Sequence, residues 1–371
     1  MQATKHSRIS QLWRSPSSVF AIGFIVLTLL TALFAYRLAP DASANGNRMI
    51  VELGAKSPGF SKHLLLVPTK NVQAPESGSW WNGTPDTFQY IPINSYSLSG
   101  GTVRVVHFID EGLSDTLTFS LQQLVPAAIA AQPVQEQQQF FVRHRLRKQT
   151  FYLGTDRYGR DILSRLLIGS RVSIAVGLIA VLLSLSIGIL FGSLAGYFGG
   201  WVDRSVMFLV NILWSVPTLL LVFALTLTLG KGFWEIFIAI GLTMWLGAAR
   251  LIRGQTLALR EADYVQAAKA IGASHARIIM RHILPHLGGV VMVIAASNFA
   301  TAILVEAGLS FLGIGIQPPQ PSWGLMIKEH YNFLITNQPL SAIIPGLAIM
   351  MLVYSFNILG NKLRDILDVR S

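Results

Sequence analysis

The sequence predicts an all-α integral membrane protein with six transmembrane helices and a small external domain inserted between helices 1 and 2. Of its 371 residues, 52% are hydrophobic and only 13% are charged, whereas a soluble domain has about 25% charged residues. Six apolar segments reach the roughly 20 residues that a helix needs to cross a bilayer, and without water their backbone groups must bond within a helix. These segments cover residues 18–38, 172–197, 206–229, 234–253, 287–312 and 340–360.

The first apolar segment has two interpretations. It follows Lys5, Arg8 and Arg14, and the small residues 42–44 resemble a signal-peptidase site, which is typical of a cleaved signal peptide. Against cleavage, the apolar run exceeds the usual 7–15 residues of a signal core, and Trp13 is placed as an interfacial anchor. We therefore expect a retained helix and a first unit covering residues 1–38.

The formal charge of +11 is distributed as membrane insertion requires. Basic residues cluster at the ends of apolar segments, which follows the positive-inside rule and argues against a nucleic-acid partner. The N-terminus and the basic stretch 250–286 are separated by four crossings, so both lie on one side. We expect a multi-pass protein of the cytoplasmic (inner) membrane with both termini cytoplasmic. Residues 39–150 are then an external inserted domain, and residues 151–371 form a five-helix core.

The insert and the segment after it carry local signals of their own. Residues 102–108 and 116–121 alternate as strands do, and the Gln-rich stretch 132–148 predicts a helix leading back to the membrane. Thr155 is placed to cap an interfacial helix that begins at Asp156, with acidic residues in its first turn.

The segment between the fourth and fifth spans, residues 255–285, is too short and too charged to cross a bilayer. Its first part predicts a helix that ends at Gly272 as a C-cap. Val265, Ala268 and Ile271 follow helical spacing and form a short apolar stripe. A second helical run is expected to end at Pro285. The residues alone leave two interpretations open: a surface helix bridging two spans, or a lever that transmits a partner's movement.

Several motifs in this region resemble permeases of ABC importers. Ala267-Ala268, Gly272 and Leu284-Pro285 are similar to the EAA loop of that family, which forms the coupling helix that docks on an ATP-binding subunit. Residues 153–165, 196–200, 306–313 and 321–324 are similar to the C-type subunits of its dipeptide, oligopeptide and nickel branch. Gln266 stands where the family has Glu, and Phe208 and Asn211 replace a frequent Arg and Asp. The resemblance covers about residues 150–371 and the first span.

The resemblance implies the type I ABC importer permease fold and a set of partners. These would be a second homologous permease, two ATP-binding subunits and an external solute-binding protein, with the lipid bilayer around the spans. The substrate would be a di- or oligopeptide, with nickel or another small solute as the alternative. Residues expected to couple to the ATP-binding subunit are Tyr264, Val265, Ala267, Ala268, Lys269, Ile271, Gly272, Leu284 and Pro285.

Candidates for the translocation path are Glu306, Ser310 and Pro217. A carboxylate within a span is costly in lipid and should face protein or a watery path, so Glu306 either lines the path or makes a structural hydrogen bond. Gly188, Gly192 and Gly196 lie four residues apart, a spacing that lets helices approach closely in lipid. Their partner is expected to be a helix of the same chain, with a partner permease as the alternative.

The chain lacks the motifs of an enzyme that uses ATP itself. It has no phosphate-binding Gly-x-x-x-x-Gly-Lys-Ser/Thr loop and no nucleophile elbow. It also has no cysteine, which excludes disulfides and thiolate metal sites. We expect a non-catalytic subunit without a bound cofactor or metal, with ATP hydrolysed by partner subunits. A stand-alone secondary transporter is the rival class, and it should show ionisable residues at mid-membrane and an inverted repeat.

Overall fold

The computed structural model describes residues 15–69, 81–230, 232–335 and 339–368. The first span is helix α1, Pro16–Leu33, and a short helix α2, Ala35–Leu38, follows it. Pro16 occupies the first turn of α1, where its missing N–H leaves no hydrogen bond unmade. The start of the chain, including Trp13 and the basic residues used for orientation, lies outside the described residues.

The insert after α2 is built on a five-stranded antiparallel sheet. Its strands are β1 Phe60–Pro68, β2 Phe88–Ser99, β3 Thr102–Asp110, β4 Leu113–Ser120 and β5 Leu146–Phe151, in the order β4-β3-β2-β1-β5. Between β4 and β5 lie three helices, α3 Leu121–Leu124, α4 Ala127–Ala130 and α5 Val134–His144. Both predicted strands are confirmed, in β3 and β4, except that Leu121 already begins α3. The predicted helix 132–148 is too long, because residues 146–148 pair with β1 instead.

Four helices follow the insert. They are α6 Ile162–Phe198, α7 Gly200–Trp214, α8 Thr218–Leu229 and α9 Phe233–Arg260. The predicted third span, 206–229, is not one continuous helix, because α7 and α8 meet at an angle of 92°. Pro217 lies at this break. Proline has no N–H for a helical hydrogen bond and disfavours helical backbone at the residue before it, Val216.

The rest of the core holds residues 255–285, here called the coupling segment after the role expected for it, and the last two spans. The coupling segment contains α10 Asp263–Ala270, α11 His275–Arg277 and a π-helical stretch Ile278–Ile283. The π-helical stretch continues into α12 Leu284–Leu312, and α13 Trp323–His330 and α14 Leu340–Asp368 follow. Among the described residues, five helices are long and apolar enough to cross a membrane, and the bent pair α7–α8 counted as one span gives the predicted six.

A helix does not end at Pro285, contrary to the prediction. The chain is helical from His275 to Leu312, and Pro285 lies in the first turn of α12. The π-helical turn just before it widens the backbone where a proline ring would otherwise crowd the preceding carbonyl. The helix of the fifth span therefore begins at His275, twelve residues before the predicted start at residue 287, and reaches directly into the coupling segment.

Segment 154–161 also differs from the prediction. The carboxylate of Asp156 accepts hydrogen bonds from the backbone N–H of Tyr158 (2.8 Å) and Arg160 (3.0 Å), so these residues form a turn and not a helix. The N-cap is Asp161, which accepts from the N–H of Ser164 at 2.9 Å and starts α6. Burial raises the pKa of Asp161, against the opposing effect of its hydrogen bonds from Ser164.

A buried ionic cluster joins the insert, α6 and α13. Glu329 accepts from Arg165 at 2.8 Å and from Arg160 at 3.0 Å, and Arg160 also pairs with Asp156. A further bond runs from Arg160 to the side chain of Asn47 in the insert, at 3.2 Å. Both guanidinium groups are almost fully buried. Their charges are therefore compensated by the carboxylates of Asp156 and Glu329 and not by water. We call the side of the membrane that holds this cluster the insert side, and the opposite side the coupling side.

Glycines of α6 pack directly on α9 of the same chain, as predicted. A Cβ on Gly188 would lie 2.6 Å from the Cβ of Ala248, and one on Gly192 would lie 2.5 Å from the carbonyl oxygen of Ala249. One on Gly196 would meet the backbone of Arg253 at 2.7 Å. Only glycine allows this approach of the two backbones.

We expect Gly192→Val to destabilise the chain by about 1–3 kcal/mol, because the new side chain forces α6 and α9 apart. Thermal unfolding of the purified full chain in detergent measures the effect. Gly23→Val in α1 is the matched control, since nothing lies within 4 Å of its Cβ position. Equal unfolding temperatures for the two variants would contradict the packing described above.

Glu329→Ala should cost about 3–5 kcal/mol, because it leaves a buried guanidinium at Arg165 without its carboxylate. The control is Glu261→Ala, whose pair with Arg260 lies at the surface and is worth about 0–1 kcal/mol. The same thermal measurement distinguishes them. A Glu329→Ala chain as stable as the Glu261→Ala chain would show that the cluster does not hold α13 in place.

Candidate functional site: the coupling helix and the broken span

Helix α10 ends in the C-cap that the sequence predicts. Gly272 has a φ of +78°, which places it in the left-handed region that favours glycine. Its N–H bonds the carbonyl of Lys269 at 3.0 Å, and the N–H of Ala273 bonds the carbonyl of Ala268 at 3.1 Å. This pair of bonds is the Schellman motif. It turns the chain sharply from α10 into the helix that leads to the fifth span.

One face of α10 is buried in its own chain. Val265 and Ala268 belong to an apolar cluster with Tyr197 of α6, Ile252 of α9 and Ile283 of the π-helical stretch. The helix is thus fixed to three spans at once. The predicted stripe Val265–Ala268–Ile271 is therefore divided, because its first two members are inaccessible to a partner in this conformation.

The rest of the surface of α10 is open. Ile271 is 85% exposed, Tyr264 is 39% exposed, and Ala267 is also exposed. These three residues are spaced by three and four positions and therefore share one face of the helix. Ile271, Ala267 and Tyr264 thus offer apolar side-chain surface that a partner could cover. Of the other predicted coupling residues, Lys269 and Leu284 are half-buried and Pro285 is exposed.

Polar and aromatic contacts fix the position of α10 and of the chain next to it. The Tyr197 hydroxyl lies 2.9 Å from Nδ1 of His275. The side chain of Gln266 donates to the carbonyl of Arg260 at 2.9 Å and so satisfies the C-terminal end of α9. Gln266, where the family pattern has Glu, thus serves as a neutral donor. The ring of His286 lies 5.1 Å from that of Tyr264 and is tilted by 39° to it.

The break between α7 and α8 borders a pocket of about 160 Å³. Pro217 lies between two of its lining residues, Val216 and Thr218. Polar side chains also reach the pocket from neighbouring spans, including Thr243 of α9 and Asn298 of α12. Polar groups within a span indicate a watery or protein-lined surface. The lining residues come from α7, α8, α9 and α12, so spacing within one segment of the sequence could not predict that they meet.

Glu306 and Ser310 are brought together, away from this pocket. The Glu306 carboxylate accepts hydrogen bonds from Ser310 at 2.6 Å and from Ser322 at 2.8 Å, and all three residues are buried. Ser322 is also the N-cap of α13. Of the two interpretations of Glu306, this geometry favours the structural hydrogen bond. Membership of Glu306 and Ser310 in the translocation path stays a prediction.

Comparison with known proteins places the core in a family. Residues 188–370 match the profile described as "Binding-protein-dependent transport system inner membrane component". The chain is 41% identical to the glutathione transport system permease protein GsiD of Pectobacterium atrosepticum over 217 residues, 58% of this chain and 72% of the relative. It is 41% identical to the oligopeptide transport system permease protein OppC of Bacillus subtilis, over 58% of this chain and 71% of the relative.

Two further similarities concern a dipeptide permease and a solved structure. The dipeptide transport system permease protein DppC of Bacillus subtilis is 38% identical over 58% of this chain and 68% of its own length. A solved structure of the MetNI methionine ABC transporter is 20% identical, covering 54% of this chain and 96% of its own, with a TM-score of 0.45. From its family profile and its curated relatives, this chain is a multi-pass membrane protein that belongs to the permease family of binding-protein-dependent transport systems.

Proposed function

We propose that this chain is the non-catalytic permease subunit of an ATP-driven importer of di- or oligopeptides. The relatives above carry names for oligopeptide, dipeptide and glutathione transport, and glutathione is itself a small peptide. Their common substrate class is the reason for proposing peptides and not nickel. The chain would bind no cofactor of its own, and ATP would be bound and hydrolysed by two partner subunits.

The observation that carries this proposal is the two-faced helix α10. Its buried face is packed on α6, α9 and the start of the fifth span, and its open face carries an 85% exposed isoleucine. A partner that pushes on the open face therefore moves three spans together. The partner would be an ATP-binding subunit, docked at Tyr264, Ala267 and Ile271 on the cytoplasmic side. Both termini would lie on that side, and the insert would face the solute-binding protein.

The path would run along the broken span. The bend at Pro217 brings α7, α8 and the pocket residues Thr243 and Asn298 to one surface. A second homologous permease facing this surface would complete a channel between the two subunits. Exposed apolar side chains of α7 and α8, such as Phe208 and Leu220, supply contact area for that partner or for lipid. Alternating access follows when ATP binds more tightly to one of the two arrangements.

Ile271→Ser is expected to weaken assembly with the ATP-binding subunit, because burying an isoleucine at an interface is worth about 1.5–3 kcal/mol. Co-purification of the subunit with the tagged full chain measures the loss. The matched control is Ile335→Ser, since Ile335 is 92% exposed and follows α13 on the insert side. Docking on α10 would be contradicted if both variants kept the ATP-binding subunit. It would also be contradicted if both lost it to the same extent.

Substrate class is tested with the assembled complex in proteoliposomes. We expect ATP-dependent uptake of a labelled dipeptide or of glutathione when the solute-binding protein is present. Nickel uptake under the same conditions should stay at the level without ATP. Liposomes holding this chain alone provide the control, and peptide uptake there would show a stand-alone transporter. ATP-dependent nickel uptake without peptide uptake would overturn the substrate assignment.

A further inference from the structure

A large groove lies where α1, α6 and the start of α9 meet the insert. Its volume is about 770 Å³, within the range of about 300–1,000 Å³ that small-molecule sites have. Leu29, Leu33 and Leu178 form apolar walls, and each is more than 40% exposed. These leucines belong to membrane-spanning helices, so the groove opens towards lipid. Apolar walls of this kind offer no favourable contacts to a water-soluble solute.

Arg171 supplies the positive charge of this groove. Its guanidinium lies 4.1 Å from the ring centroid of Trp81 and 5.1 Å from that of Tyr36. It also donates to the backbone carbonyl of Trp81. Among the described residues, no carboxylate forms an ion pair with Arg171. The aromatic faces hold the guanidinium in place but do not neutralise its charge.

The position of Arg171 along α6 matches the level of lipid headgroups. The apolar run of α6 begins at residue 172, directly after Arg171. Trp81 and Trp234, both lining the groove, are residues that prefer the interface between membrane and water. The charge therefore lies at the phosphate level of the leaflet on the insert side, above apolar walls at the level of the acyl chains.

We propose that this groove binds one anionic phospholipid from the leaflet on the insert side. Its phosphate pairs with Arg171, and one acyl chain lies between Leu29 and Leu33 of α1 and Leu178 of α6. An arginine guanidinium pairs with phosphate through charge-assisted hydrogen bonds. The bound lipid joins α1 to α6 and to the insert at a place where protein atoms leave a gap. This site is separate from the coupling helix and from the broken span, and it does not depend on the proposed substrate.

The test uses the full chain in detergent and counts bound lipid by native mass spectrometry. The probes are dioleoyl phosphatidylglycerol, which is anionic, and dioleoyl phosphatidylcholine, which has the same chains and no net charge. We expect one phosphatidylglycerol to bind about fivefold more tightly than phosphatidylcholine, the contribution of one arginine near a lipid surface. Inorganic phosphate at the same concentration should not displace the lipid, because it offers no acyl chain.

Two variants, each with a matched control, locate the site. Arg171→Gln should abolish the preference for phosphatidylglycerol, whereas Arg37→Gln should keep it, since Arg37 is exposed at the same end of the spans but does not line the groove. Leu178→Trp should reduce binding of both lipids by filling the groove. Leu182→Trp, one turn further along α6 and 65% exposed, should not.

Wild-type binding by either Arg171→Gln or Leu178→Trp would overturn the proposal, as would displacement of the lipid by inorganic phosphate. The unfolding temperature of each variant shows that it is folded. A loss seen equally in a variant and in its control also rejects the site, because it would then reflect general contact with lipid.

Discussion

The close approach of α6 and α9 is the constraint on which the rest of the structure depends. In lipid, helices gain little from hiding apolar surface, so association rests on dense packing of their backbones. Three glycines on α6 provide that density against Ala248, Ala249 and the backbone beyond them. The pair runs to the coupling side, where Tyr197 and Arg260 form the base on which α10 rests. A looser pair would leave α10 without a rigid support.

Helix α6 is fixed at both of its ends, which makes it a rigid link across the membrane. On the insert side, Arg165 and its neighbour Arg160 share Glu329 of α13, and Arg160 also reaches the insert. On the coupling side, Tyr197 contacts His275 at the start of the fifth span. Buried ion pairs contribute little net stability but are costly to break. The cluster therefore acts mainly by specifying one arrangement of insert, α6 and α13.

Hydropathy located the spans well, because burial in lipid demands long apolar helices whatever their tertiary partners are. It could not show the 92° break, since Pro217 lies within an apolar run whose composition is that of one span. The end predicted at Pro285 was wrong because a π-helical turn accommodates the ring, and no residue type signals that turn. Likewise, spacing placed Val265, Ala268 and Ile271 on a common stripe, but only tertiary packing decides which of them remain exposed.

The division of α10 into a buried and an open face has a mechanical consequence. Residues that anchor the helix to the spans, such as Val265, are not those available to a partner, such as Ile271. Force applied at the open face must pass through the buried face into α6, α9 and the fifth span. A partner can shift the spans only by the difference in its affinity for their two arrangements. The buried contacts of α10 with α6, α9 and the fifth span decide how far a movement of α10 is transmitted to the broken span α7–α8. If α10 could slide on these helices, it would move without them.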